Sequence, residues 1–145
     1  AVTVKDGNVT LKKDRDYTVS YSANKGIGTA KVTVTGKGSY TGKITKTFKI
    51  NPQGQSISAK GDKSGKKIAV TLAKHSSNSG YQVSYADNSG FKNSKSLWLS
   101  GNSKNKGTIK GLKSKKTYYV KARDYKTIGK TKVYGKWSAV KKVSI

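Results

Sequence analysis

Apolar and polar residues alternate along most of this chain with a period of two, the pattern of half-buried β-strands. In the first third, Val, Ile, Thr and Tyr occupy one phase and Lys, Ser and Thr the other, with glycine-rich turns between. No segment shows a convincing helical period. The alternation predicts a meander of β-strands at residues 2–4, 9–11, 17–21, 30–34 and 44–50, with core residues such as Tyr17, Val19 and Tyr21 on one face.

A connector follows this meander. The only proline, Pro52, lies in a polar stretch, where it disfavours a continuing strand. We therefore predict a first domain at residues 1–51, a linker at 52–54 and a second domain at 55–145.

The second domain contains further short strands separated by turns. We predict them at residues 56–59, 68–72, 81–85, 96–99, 107–109, 118–122 and 132–145. Strands of this length and spacing are typical of a two-sheet sandwich. The predicted fold class is all-β, with two small β domains, the second a seven-stranded sandwich.

Specific motifs in the second domain resemble fibronectin type III domains. They are residues 80–85 (Gly-Tyr-Gln-Val-Ser-Tyr), the Ile-Lys-Gly-Leu segment that ends at Leu112, residues 117–123 around Tyr118, and residues 134–140 around Trp137. The resemblance implies structural roles for Leu112 and Tyr118, whose hydroxyl would bond to upstream backbone at a tyrosine corner. The predicted second strand, 68–72, lacks the family's tryptophan, so we expect Trp98 or Trp137 to fill that part of the core.

The first domain is similar to tandem surface repeats of anaerobic Gram-positive bacteria. The similarity is carried by residues 2–7, 16–21, 28–38, 40–42 and 48–50. In those repeats a further strand usually precedes the Val-Thr-Val segment, so the resemblance implies a module truncated at its N-terminus or completed by a strand from elsewhere. The resemblance also implies an extracellular location, either secreted or on a bacterial surface. Such repeats occur in large proteins, some of which are hydrolases.

Positive charge dominates the composition. Lys and Arg number 31 against 6 acidic residues, which gives a net charge of +25. Such a surface attracts polyanions. Only Arg15 and Arg123 are arginines, so lysines carry nearly all of the positive charge. A lysine ammonium group lacks the planar bidentate geometry with which arginine recognises a base or holds one phosphate, and this favours diffuse binding. The candidate polyanion-binding residues, which alternation sends to solvent, are Lys31, Lys43, Lys49, Tyr119, Lys121, Arg123 and Lys141.

The aromatic residues fall into two groups, according to which side of a predicted strand they occupy. Tyr119 alternates with Tyr118 and would share an outward face with Lys121 and Arg123. Exposed tyrosine among lysines can serve a weak carbohydrate or single-strand nucleic-acid surface, although ordinary solvated sheet faces have the same composition. We expect core positions for Tyr81, Tyr85, Tyr118 and Trp137, and exposure for Tyr119, Tyr125 and Tyr134.

Catalytic groups are scarce. The chain has no Cys and no Glu, and its single histidine, His75, lies in a polar segment that predicts an exposed loop. One histidine cannot build a zinc site, and Asp14-Arg15-Asp16 predicts a turn with a local ion pair more strongly than a calcium loop. We therefore expect no enzyme activity and no cofactor.

Lys46 is an unusual position. It shares the phase of Ile44, Phe48 and Ile50, so strict alternation points its amine inward. Two interpretations remain: a lysine that snorkels to water from an edge strand, or an intramolecular isopeptide bond to an asparagine.

These observations favour a non-catalytic spacer or adhesion module that binds wall polymers or sulfated glycans with low specificity. One alternative is an accessory domain of a secreted cell-wall or glycan hydrolase whose catalytic part lies outside this chain. Another is a non-specific nucleic-acid binder, although no nucleic-acid-binding motif is present. No apolar run is long enough to insert into a membrane.

Overall fold

The computed structural model describes residues 1–145 and contains only strands, turns and loops. The chain forms two compact units, Ala1–Ile50 and Asn51–Ile145. The predicted all-β fold class is confirmed. The residues predicted as a linker belong to the second unit, where Pro52 is buried and its carbonyl group lies against Gly135. The structure has no helix with the length and apolar composition that a bilayer crossing requires.

The first unit contains a small hairpin and a three-stranded antiparallel sheet. Its strands are β1 (Lys5–Asp6), β2 (Val9–Thr10), β3 (Tyr17–Ser22), β4 (Gly28–Gly36) and β5 (Lys43–Ile50). β1 pairs with β2, and β4 lies between β3 and β5. No strand forms at residues 2–4, where one was predicted, and the first strand begins at Lys5 instead.

The two faces of this sheet differ in composition. Val19, Val34 and Ile44 are paired across the strands, so alternation collects apolar side chains on one face. Little covers that face: Leu11, Tyr17 and Ala30 are the only apolar residues buried in the unit, and Ile44 is 59% exposed. The opposite face, here called the polar face, carries only Thr, Ser and Lys: Thr18, Ser20, Ser22, Thr29, Lys31, Thr33, Thr35, Lys43, Thr45, Thr47 and Lys49.

Lys46 lies on the apolar face and is exposed. Because β5 is an edge strand, the side chain reaches water without crossing the sheet. This is the arrangement expected of a lysine that snorkels.

The turn before β3 contains the expected ion pair. Arg15 donates from Nε and Nη2 to the carboxyl oxygens of Asp16, at 2.7 and 2.9 Å. The backbone N–H of Lys12 also donates to Asp16, at 2.8 Å. The hydrogen bonds from Arg15, followed by the one from Lys12, lower the pKa of Asp16 to about 2. Asp16 therefore holds the turn together as a charged acceptor.

The second unit is a sandwich of two antiparallel sheets. Strands β6 (Ile57–Asp62), β7 (Lys67–Leu72) and β10 (Lys106–Ile109) form the smaller sheet, with β7 in the centre. The larger sheet contains β8 (Gly80–Ala86), β9 (Lys95–Ser100), β11 (Thr117–Ile128), β12 (Thr131–Tyr134) and β13 (Lys141–Ser144). Residues 132–145, predicted as one final strand, form two separate strands, β12 and β13. Both pair with one edge of β11, and β8 pairs with its other edge.

The core fills the space between these two sheets. Ile68 and Val70 from the smaller sheet meet Tyr81, Val83 and Val120 from the larger one, all almost fully buried. Tyr81 is stabilised there because its hydroxyl donates to the carbonyl of Asn102, at 2.7 Å.

Neither tryptophan contributes to this core, and the expectation that Trp98 or Trp137 fills it was wrong. Trp98 pairs with Gln82, which lies in the outward phase of β8. Trp137 lies between β12 and β13 and stacks on cations of the outer surface.

A tyrosine corner closes one end of the sandwich. Tyr118 is 7% exposed, and the backbone N–H of Lys113 donates to its hydroxyl at 2.9 Å. Leu112, the residue before Lys113, is buried in the core. The corner thereby joins the loop after β10 to the start of β11.

We expect Tyr118→Phe to destabilise the second unit by about 0.5–1.5 kcal/mol, because it removes one hydrogen bond and leaves the ring packed. Urea denaturation followed by tryptophan fluorescence measures this, since both tryptophans lie in this unit. Tyr119→Phe is the matched control and should change stability by less than about 0.5 kcal/mol. The reverse order of effects would contradict the assigned phase of β11.

Candidate functional site

The seven candidate polyanion-binding residues lie on three surfaces. Lys31, Lys43 and Lys49 share the polar face of the first unit, as the register of β4 and β5 requires. The group of Tyr119, Lys121 and Arg123 lies on one face of β11 in the second unit. Lys141 lies on β13, two positions from the buried Val143 and therefore on the same side of the strand, yet it is exposed. It belongs to neither of the other two groups.

β11 carries the most distinctive of these surfaces. Alternate residues from Tyr118 to Asp124 point into the sandwich and are buried. The residues between them point away from the core, where Lys121 pairs with Ser84 and Arg123 with Gln82 on β8. We call this side of the larger sheet the outer face.

Arg123 is held between two aromatic rings on the outer face. Its guanidinium carbon lies 3.7 Å from the ring centre of Tyr134 and 4.2 Å from that of Trp137. Its Nε donates to Oε1 of Gln82 at 2.8 Å. Burial of the guanidinium lowers the pKa of Arg123, although arginine stays protonated at physiological pH. Stacking and the hydrogen bond therefore fix the orientation of this charge.

Lys121 continues the same stack. Its Nζ lies 3.9 Å from the ring centre of Phe91 and 4.9 Å from that of Trp137. Trp137 thus lies over two cations of β11, which explains its place outside the core. A cation already stacked on protein rings has less freedom to meet a polymer, so Lys121 and Arg123 act as fixed, half-buried positive centres.

The other end of the outer face is formed by Trp98 and Tyr125. Tyr125 was expected to be exposed, and this was wrong: it is 5% exposed because Trp98 packs edge-on against it, with ring centres 5.5 Å apart. The Nζ of Lys132 lies 5.7 Å from the Trp98 ring and 5.6 Å from the Tyr125 ring. Trp98 itself remains 43% exposed.

A buried polar cluster, which sequence reasoning missed, surrounds Asp124. Its side chain is 1% exposed and makes three hydrogen bonds: Gln55 Nε2 donates at 2.6 Å and Asn78 Nδ2 at 3.0 Å, and His75 Nδ1 lies at 2.7 Å. The prediction of an exposed His75 is therefore wrong, because its ring packs against this carboxyl group and is 17% exposed. The sequence did contain a signal for this cluster. Asp124 follows Val120 and Ala122 at every second position of β11, which places its side chain on the inward side of the strand.

The cluster connects three parts of the second unit. Gln55 also bonds to the backbone of Ala73, through Nε2 to its carbonyl and through Oε1 from its N–H. The segment before β6, the loop after β7 and β11 therefore meet at Asp124. No group of three or more His, Cys, Asp or Glu residues lies together in a way that could hold a metal ion. What the geometry shows here is cross-linking of the fold by hydrogen bonds.

Comparison with solved structures identifies the fold. The FN1–FN3 domains of chicken CNTN1 are similar to this chain with a TM-score of 0.55 and 18% sequence identity. The similarity covers 83% of this chain and 43% of that one, so the chain spans less than half the length of its structural relative. No protein-family model matches the chain, and no curated protein sequence does. The likeness shows an all-β fold of the fibronectin type III kind, as the motifs around Leu112 and Tyr118 implied.

Proposed function

We propose that this chain is a non-catalytic spacer and adhesion module of a bacterial surface or secreted protein, and that it binds anionic polymers such as wall polymers or sulfated glycans. Its fold, two units of antiparallel sheet, is compatible with such a role. The observation that carries the proposal is the placement of lysines on open sheet faces, where they can meet a polymer without disturbing a core.

The polar face of the first unit illustrates the geometry. Lys43 and Lys49 lie six positions apart on β5, which is about 20 Å along an extended strand. Lys31 lies between them on β4, diagonally about 7–8 Å from Lys49 at the backbone. Threonine and serine hydroxyls fill the intervening positions, and no acidic side chain interrupts them. A linear polymer with regularly spaced anionic groups fits this arrangement better than a single compact anion does.

Salt dependence of binding tests the proposal. If the polymer releases counterions from six or more neutralised charges, affinity should fall about 10³-fold or more between 50 and 200 mM salt. Binding of the full chain to teichoic acid, heparin and duplex DNA can be measured by fluorescence anisotropy over this range. Teichoic acid and heparin should compete with DNA at comparable charge, and DNA sequence should have no effect.

Variants of the polar face refine the same test. Replacing Lys31, Lys43 and Lys49 together by Gln should lower the log-log salt slope by about 2–3, and each alone by at most about 1. Thr33→Ala, on the same face without loss of charge, is the control. Abolition of binding by one substitution, or affinity unchanged at high salt, would overturn the proposal of diffuse binding.

A further inference from the structure

Trp98 is an exposed aromatic residue of the second unit that packs against Tyr125 and still leaves much of its ring open to solvent. It lies on β9 with Ser96 and Ser100 on either side in the same phase, and it pairs with Gln82 on β8. Tryptophan is normally well covered in folded proteins, so a ring that stays 43% exposed on the polar side of its strand is an informative exception.

The ring is also well supported. Tyr125, almost fully buried beneath it, holds Trp98 edge-on with an interplanar angle of 74°. Edge-to-face packing of this kind fixes a ring without covering it completely. Trp98 is therefore a pre-ordered aromatic surface, and a ligand that uses it loses little further entropy.

The polar groups around Trp98 are mostly neutral. Gln82 donates from Nε2 to the hydroxyl of Ser96 at 3.0 Å, and its Oε1 accepts from Arg123. These two bonds fix the amide beside the ring. Lys132 supplies a single ammonium group, whose Nζ lies 5.7 Å from the ring centre of Trp98. This is longer than the distances of 3.7 and 4.2 Å between the guanidinium carbon of Arg123 and its two aromatic rings. At this distance the ammonium group is close enough to meet an anionic substituent of a ligand that lies on the ring.

We propose that Trp98, with Lys132, Gln82 and Ser96, forms a stacking subsite for one sugar ring of an anionic glycan. The negative face of an aromatic ring attracts the polarised C–H groups of a pyranose. The amide and hydroxyl groups bond to sugar hydroxyls, and Lys132 meets a carboxylate or sulfate group. A fixed amide and hydroxyl beside one ammonium group favour a polyhydroxylated ring over a nucleobase, which uses aromatic stacking with a continuous line of cations for its backbone.

This inference rests on the proposed function and deepens it, because it names the sugar ring as a second determinant besides charge. The test compares two polymers of matched charge, a heparin-derived oligosaccharide and polyphosphate, on the full chain. Trp98→Ala should weaken oligosaccharide binding about tenfold and leave polyphosphate binding within about twofold. The tenfold ratio should persist at high salt, where the charge contribution is screened, because stacking on the ring involves no charge. Trp98→Phe should retain part of the affinity.

Tyr21→Ala is the matched control, since Tyr21 is an exposed aromatic residue of the first unit, and it should affect neither polymer. Lys132→Gln should weaken oligosaccharide binding and lower its salt slope. Equal losses for both polymers, or no loss for either, in Trp98→Ala would overturn the sugar subsite. A single-stranded oligonucleotide serves as the third ligand. If Trp98→Ala weakens binding of this oligonucleotide alone, the sugar subsite is overturned in favour of a base-stacking surface.

The two proposals fail in different ways. If charge-based binding is wrong, the unmodified chain shows no salt dependence with any polymer. If only the sugar subsite is wrong, salt dependence remains and the ratio of the two affinities does not change in Trp98→Ala.

Discussion

Replacing Asp124 by alanine should destabilise the second unit by about 3–5 kcal/mol. The substitution removes the group to which three side chains bond. It leaves the Nδ2 group of Asn78 buried without a partner, and it removes one of the two acceptors of Gln55 Nε2, which keeps its bond to the carbonyl of Ala73. Each unpaired buried donor costs about 1–3 kcal/mol. Urea denaturation followed by tryptophan fluorescence reports this unit alone, because Trp98 and Trp137 both belong to it.

Asp87→Ala is the matched control, since Asp87 is exposed in the same unit, and its effect should be within about 0.5 kcal/mol. A double-mutant cycle with His75→Ala should show that the two substitutions are not additive, because the side chains share one contact. Additive effects, or an Asp124→Ala variant as stable as the control, would mean that the cluster does not hold the sandwich together.

Gly80→Ala should destabilise the second unit by about 2–4 kcal/mol. Gly80 has a φ of +153°, which L side chains rarely adopt. An added Cβ would collide with the carbonyl oxygen of Leu99 and approach the Tyr125 hydroxyl to 2.8 Å. The carbonyl oxygen cannot move away cheaply, because Gly80 and Ser100 are paired where β8 meets β9.

The same fluorescence measurement tests this change. Gly54→Ala is the control, because nothing lies within 4 Å of a Cβ at Gly54 and its φ is not in the left-handed region. It should be neutral within about 0.5 kcal/mol. If Gly80→Ala proves equally neutral, β9 is not held against β8 at this position as firmly as the pairing indicates.

Alternation predicted much of the second unit correctly, because most of its strands have one buried face. It placed Tyr118 and Tyr119 on opposite sides of β11. It could not predict that Tyr125 is buried on the outward side, since that depends on Trp98 from a different strand. Trp137 lies between two strands, where no alternation applies, and its position follows from its contacts with Lys121 and Arg123.

The first unit shows a second limit of sequence reasoning. The period of two correctly assigned Tyr17, Val19 and Tyr21 to one face of the sheet. A repeating pattern does not say whether that face is covered. Only Tyr17 of the three expected core residues is buried, and the expectation was wrong for Tyr21, which is 50% exposed. The polar cluster at Asp124 was missed for a related reason: an acidic residue in an inward phase is unexpected until the donors from distant segments are known.

The arrangement of lysines on β5 has a further consequence for how copies of this chain behave when crowded. β5 is an exposed edge strand of eight residues with apolar Ile44 and Phe48 on one side, and such edges tend to pair between molecules. Lys46 places a charge among those apolar residues, and Lys43 and Lys49 place charges on the opposite side. Two β5 strands that approach each other therefore bring ammonium groups together on both sides. The charges proposed to attract polymers thus also oppose strand-to-strand self-association.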